Sequence, residues 1–174
     1  GNFIFESDVT FTKGNVANLI FGASKNTTSE DSFIFKLDRT NKGETKVFCF
    51  SSSKGYPTIS TNNGNSFEYN KASYKMRVMV IDGLCTVYVD GIPVCSATLP
   101  SYYADGYLGI GTAEYSSATF QNTVYTDLGD KKVAKITDIE VEGMALSPAF
   151  SEKVGAYTLP TLPNETKTIK ITVS

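Results

Sequence analysis

Glu6 and Asp8 stand two residues apart in the segment FESDVTF. In an extended chain, side chains at i and i+2 leave the same face, so the two carboxylates are neighbours on one surface. Together they can accept paired hydrogen bonds from the hydroxyls of a polyol. Their spacing also approaches the roughly 5–5.5 Å that separates the two carboxyls of a retaining glycosidase. Both point the same way from one strand, however, so they cannot flank a scissile bond. A mixed, shallow strand face also offers little to raise one pKa. A non-catalytic role is expected. The chain has no histidine, which removes His-based triads, general bases and metal ligands together. Asp8 and Asp105 are the acidic positions that a structural calcium ion held by loop carbonyls would use, although no segment has the spacing of a dedicated calcium loop. Tyrosines supply the other half of a shallow recognition site. Tyr115, or Tyr102 and Tyr103, can lay a ring against an apolar ligand face and present a hydroxyl.

These residues need a rigid frame, and the stretch from Tyr74 to Ala97 provides its centre. It holds two Asp-Gly pairs, Asp82-Gly83 and Asp90-Gly91, each flanked by β-branched and aromatic residues. Asp-Gly supplies the two positive-φ positions of a type I′ turn, so the stretch reads as two tight hairpins in series. Two-residue loops set the register: Val80 faces Cys85, Val78 faces Val87, Met76 faces Val89, and Val87 then faces Val94. Tyr74, Met76, Val78, Val80, Cys85, Val87, Val89 and Val94 share one apolar face. Lys75, Arg77, Met79, Thr86, Tyr88 and Cys95 share the other. A meander with one dry face needs a second layer, which implies an all-β, two-sheet antiparallel sandwich. In this register Cys85 and Cys95 point to opposite faces, so no disulfide joins them. With Cys49 they read as small buried hydrophobes, and their spacing matches no zinc site.

The flanking chain alternates in the same way. Phe3, Phe5, Val9 and Phe11 fall on one face of a first strand, and Ile4, Glu6, Asp8 and Thr10 on the other. Strands follow at 16–24, 32–38 and 46–51, and a short one around 57–60. After a Pro- and Tyr-bearing loop come strands at 107–112, whose glycines allow a neighbouring backbone to come close, and at 117–125. Residues 39–44 form a charged turn. A polar segment, 128–135, links the sandwich of residues 1–127 to a C-terminal part, 136–174. There Ile139 and Val141, Tyr157 and Leu159, and Ile171 and Val173 mark three short strands that cannot bury much of a core.

The net charge of −2 and the absence of any Lys/Arg cluster exclude long-range attraction for nucleic acid. No apolar run approaches the length that spans a bilayer. The chain starts at Gly1 and reads as a piece of a longer protein, so the lack of a leader says nothing about location.

Several segments together resemble the family 66 carbohydrate-binding modules and the related C-terminal β-sandwich of family 32 glycoside hydrolases, a concanavalin-A-like jelly roll. They are FESDVTF at Phe5–Phe11, LIFGAS at Leu19–Ser24, FIFKLDR at Phe33–Arg39, VYVDG at Val87–Gly91, ADGYLGIG at Ala104–Gly111 and ATFQN at Ala118–Asn122. The tail resembles the first half of a cadherin-like module in the run GMALSPAF, Tyr157 and Leu162-Pro163. The resemblance implies a non-catalytic module that binds a sugar, fructan ends being the best-known ligand class. It implies a secreted or cell-surface bacterial protein in which neighbouring modules, one of them a glycoside hydrolase, are the partners. It also implies that the first and last strands lie side by side, which brings Thr119 and Gln121 next to Glu6 and Asp8. The sugar-binding set expected from it is Glu6, Asp8, Gln121, Tyr115, Tyr103 and Glu114. The chain departs from the family's pattern at Gly22, where related modules carry Arg, and at Gly111–Tyr115, where they carry an aromatic, often Trp. Those departures leave a second reading: a structural or adhesion spacer with no small ligand.

Overall fold

The computed structural model describes residues 1–26, 31–40, 44–51, 53, 55–62, 67–103, 105–129, 139–141, 145–147, 149 and 171–173. The chain divides into two compact units, Gly1–Lys131 and Lys132–Ser174. Among the described residues the first unit contains ten strands and no helix. They are β1 (Phe3–Lys13), β2 (Val16–Ala23), β3 (Ser32–Asp38), β4 (Glu44–Phe50), β5 (Thr58–Thr61), β6 (Ser73–Ile81), β7 (Leu84–Val89), β8 (Ile92–Thr98), β9 (Tyr107–Ala113) and β10 (Ser117–Asp127). They form two five-stranded sheets, ordered β10-β1-β6-β7-β8 and β5-β4-β3-β2-β9. Every pairing within them is antiparallel. This is the expected two-sheet sandwich.

The period-2 pattern places the core. Phe3, Phe5, Val9 and Phe11 of β1 and Tyr74, Met76, Val78 and Val80 of β6 meet Leu19, Phe21, Phe35 and Leu37 of the second sheet, all of them buried. The rings of Phe21 and Phe33 stack 5.8 Å apart, and Phe3 sets its edge against Phe21 at 6.3 Å. Such pairs add directional attraction to the area they bury.

Both Asp-Gly turns form as the sequence predicts, with φ of 48° and 77° at Asp82 and Gly83 and of 52° and 82° at Asp90 and Gly91. The β6–β7 register is the expected one: Met76 opposite Val89, Val78 opposite Val87 and Val80 opposite Cys85. The β7–β8 register is not. Val89 faces Ile92 and Tyr88 faces Pro93, but Val87 faces Cys95 instead of Val94, and Thr86 faces Ser96. Pro93 has no N–H to give to the ladder, and the pairing slips by one residue beside it. The bulge turns both Val94 and Cys95 into the core, which corrects the outward placement of Cys95. All three cysteines are free and buried, as expected. Burial pushes the Cys85 thiol up to about 12 and the Cys95 thiol up to about 11.

Arg39, the residue after β3, ties three segments together. Arg39 donates from Nε to the Asn15 side chain at 3.1 Å, from Nη1 to the Lys71 carbonyl at 2.7 Å and from Nη2 to the Gly14 carbonyl at 3.0 Å. Its guanidinium lies 4.7 Å from the Phe11 ring centre.

In the second unit, β11 (Ile139–Val141) and β12 (Ile171–Val173) pair antiparallel, with Ile139 opposite Val173. The strand expected at Tyr157 and Leu159 lies outside the described residues.

Candidate functional site

β1 pairs with β10 on one side and β6 on the other, so the first and last strands of the sandwich are adjacent. Asp8 stands opposite Gln121, and Thr10 opposite Thr119. On the outer face the Glu6–Asp8 pair meets a matching pair of cations on β6, Lys75 and Arg77. Arg77 Nε donates to Glu6 Oε2 at 2.6 Å, and Lys75 Nζ lies 3.2 Å from Glu6 and 3.9 Å from Asp8. Partial burial alone would raise the Glu6 carboxyl, but Arg77 and Lys75 together hold it below the usual carboxylate range. A general acid needs the opposite shift. A β10 bulge with Asn122 at φ 49° turns that residue's Nδ2 toward Asp8 Oδ2, at 2.7 Å. Asn122, Lys75 and Arg77 are missing from the sequence-based set. For Lys75 and Arg77 the signal is the same i, i+2 spacing on β6 as on β1, readable only once the two strands are known to be neighbours; Asn122 sits at a β10 bulge, which no spacing announces.

The tyrosines lie elsewhere. β1 spans Phe3 to Lys13, about 33 Å at 3.3 Å per residue, and its Lys13 end pairs with Ser117 while its Phe3 end pairs with Asp127. Glu114 and Tyr115 sit at the Ser117 end, in the turn that carries the chain from one sheet to the other. Glu114 is bonded to Lys36, and Tyr115 is 96% exposed. Tyr102 and Tyr103 lie toward the Phe3 end. Tyr103 packs against Phe33 and Phe21 with ring centres 5.5 and 6.4 Å away, and Tyr102 stacks on Phe33 at 6.1 Å. The structure therefore brings Glu6, Asp8 and Gln121 together and leaves Tyr103 and Tyr115 at opposite ends.

At the Phe3 end is a cleft of about 510 Å³ whose lining includes Tyr103, Asp105, Tyr107, Tyr125 and Asp127. Gly106 makes this arrangement possible. A Cβ there would sit 2.4 Å from the Ala23 carbonyl oxygen and 2.7 Å from the Gly22 carbonyl carbon, so only glycine lets the loop descend onto β2. The close backbone approach expected at the glycines of 107–112 is thus made one residue earlier. Asp105 and Tyr107 flank Gly106 at the cleft mouth, and the Gly1 amino group contacts the Asp105 carboxylate. Burial, and then the charge of Asp105, raise the Tyr103 hydroxyl above its ordinary value. Burial, and then Asp127 and Asp105, do the same to Tyr125. Both hydroxyls stay protonated at neutral pH and can donate. The cleft thus offers carboxylate acceptors, hydroxyl donors and ring faces in one concave space. Tyr107, Tyr125 and Asp127 were not picked out from sequence, although Tyr125 and Asp127 share the i, i+2 relation used for Glu6 and Asp8. Among the described residues, neither Asp8 nor Asp105 joins a group of three or more acidic or cysteine side chains that could hold a metal.

A two-sheet antiparallel sandwich with paired first and last strands is the class that this geometry defines. Among solved structures it is similar to the carbohydrate binding module CBM66 from Bacillus subtilis, with a TM-score of 0.59 and 22% identity over 72% of this chain and 75% of that one. It is also similar, at a TM-score of 0.43 and 13% identity over 72% of this chain and 64% of that one, to an alginate lyase from Pseudomonas aeruginosa. No family model and no curated relative matches the chain.

Proposed function

We propose that residues 1–131 form a non-catalytic carbohydrate-binding module that takes a terminal sugar in the cleft at the Phe3 end. The observation that carries this reading is the convergence of Tyr103, Tyr107 and Tyr125 with Asp105 and Asp127 around one concavity. Tyrosine faces suit the apolar C–H surface of a sugar ring, and carboxylates suit its paired hydroxyls. The fold likeness to a carbohydrate binding module agrees with it. The lowered Glu6 carboxyl speaks against glycosidase chemistry on the β1 face. Glu6, Asp8 and Gln121 form a second place where sugar hydroxyls could be held. Fructan is the ligand class we put first, in a secreted bacterial protein whose neighbouring modules include a glycoside hydrolase. A weak single site of this kind gains its hold through linkage to those modules. The spacer reading draws on one observation: the Glu6 and Asp8 carboxylates are already engaged by Lys75, Arg77 and Asn122.

The test is a glycan array that includes levan and inulin oligosaccharides, followed by titration of the best ligand. Tyr125→Phe and Asp127→Asn should each weaken binding roughly tenfold, the value of one good hydrogen bond. Glu6→Gln and Asp8→Asn, at the second place, should weaken it less than either. The reverse pattern would move the site to the β1 face, and silence from a folded protein would establish the spacer.

A further inference from the structure

An antiparallel sheet with one face in water normally turns polar side chains outward. The β5-β4-β3-β2-β9 sheet departs from this. Its register places Gly109, Ile20, Ile34 and Phe48 in one row across the outer face. Gly111, Asn18, Lys36 and Lys46 form the adjacent row. The apolar row and Asn18 line a groove of about 530 Å³. Tyr107 and Leu108 line both this groove and the end cleft, so the two hollows are neighbours that share these residues.

Two details show what the groove lacks. Glycine inside a strand weakens it and has to be explained. Packing does not explain Gly109 or Gly111: an added Cβ would meet Ile20 Cβ at an ordinary 3.5 Å in the first case and Ile20 Cδ1 at 3.9 Å in the second. Nor does backbone conformation, since neither has a positive φ. Their missing side chains keep the groove open. In its floor, Asn18 Oδ1 is buried and finds no hydrogen-bond partner among the described residues. An unanswered buried carbonyl costs stability, and rotation about χ2, which is soft for Asn, would turn it to a hydroxyl lying in the groove.

We infer that the groove continues the sugar site and holds the units that follow the terminal sugar, their ring faces on Ile20 and Phe48 and a hydroxyl on the Asn18 amide. This rests on the reading of the end cleft as a sugar site. The occupant is a glycan chain: the floor that would meet it, Ile20, Ile34 and Phe48, is apolar, Lys36 beside the groove is already met by Glu114, and Lys25 is the one charged residue of the lining among the described residues. The module then measures chain length as well as chain end.

The experiment compares disaccharides with hexasaccharides of the levan, inulin and cellulose series by calorimetric titration. The wild type should bind the hexasaccharide of its preferred series at least about tenfold more tightly than the disaccharide, the worth of one added hydrogen bond with its stacking. Gly109→Val fills the groove with a residue that strands favour. It should erase that gap, leave disaccharide binding unchanged and not lower the melting temperature. Asn18→Leu removes the unanswered carbonyl, so it should narrow the gap while the free protein becomes no less stable. Equal affinities for the two lengths, or a gap that survives Gly109→Val, would overturn the groove and leave the end cleft standing. Binding indifferent to Tyr125→Phe and Asp127→Asn, or no binding at all, would overturn the end cleft and this inference with it.

Discussion

Arg39 shows what a single residue does that its neighbours in sequence cannot reveal. From the sequence it opens a charged turn. In the fold its three donors reach Gly14, Asn15 and Lys71, and its plane lies over Phe11. The planar fork holds its donors in fixed directions spread across the guanidinium; a lysine ammonium also has three donors, but on one compact nitrogen that cannot span the same three acceptors. Arg39→Lys keeps the charge and loses the fork. It should cost about 2–4 kcal/mol, the sum of two or three part-buried charge-assisted bonds with their stacking. A urea midpoint unchanged from wild type would mean the clamp contributes nothing net. The same limit applies to Glu6 and Asp8. Their shared face was legible from spacing, but their cation partners Lys75 and Arg77 lie some seventy positions away, and nothing local announces which strand will stand beside which.

At the scale of elements, period-2 alternation and Asp-Gly pairs carried nearly all the legible signal. β1, β2, β3, β6, β7 and β10 each fall close to where apolar alternation puts them. What alternation cannot show is a bulge, because one inserted residue flips every later side chain. Two bulges decide local chemistry here. The one beside Pro93 turns Cys95 inward, and the one at Asn122 delivers an unforeseen partner to Asp8. The turn between β9 and β10 went unread because it has no glycine. Glu114 and Tyr115 occupy the left-handed region, with φ of 54° and 58°, and Ser116 N–H closes the turn on the Ala113 carbonyl at 3.0 Å. A left-handed tyrosine costs about 1–2 kcal/mol that glycine avoids. Since the ring is nearly fully exposed, Tyr115→Gly should gain stability, by about 0.5–1 kcal/mol after the entropy of the unfolded glycine is counted. Chemical denaturation with an unchanged m-value would read this directly. A loss of stability instead would show that the exposed ring is anchored.

For the whole molecule, the sandwich was readable because a three-stranded meander with one dry face demands a second layer. The site was not, because a cleft is built from the ends of elements remote in sequence. Tyr103, Gly106, Tyr125 and Asp127 meet only after both sheets have closed. The closed core has a consequence for alkaline stability. Burial raises the Cys85 thiol from 9.0 to about 12 and the Cys95 thiol from 9.0 to about 11. Above pH 9.0 the unfolded chain loses thiol protons that the folded chain keeps. The unfolded state then binds fewer protons than the native one, so stability is complete below that pH and falls as pH rises toward the folded values, at up to about 1.4 kcal/mol per pH unit for each thiol. Tyr74, Tyr88 and Tyr103, also raised by burial, act in the same direction at higher pH. Urea midpoints taken from pH 8 to 11 should therefore decline, and a Cys85→Ala, Cys95→Ala variant should start lower but decline less steeply. A variant that declines as steeply as the wild type would show that the two thiols titrate alike in the folded and unfolded chains.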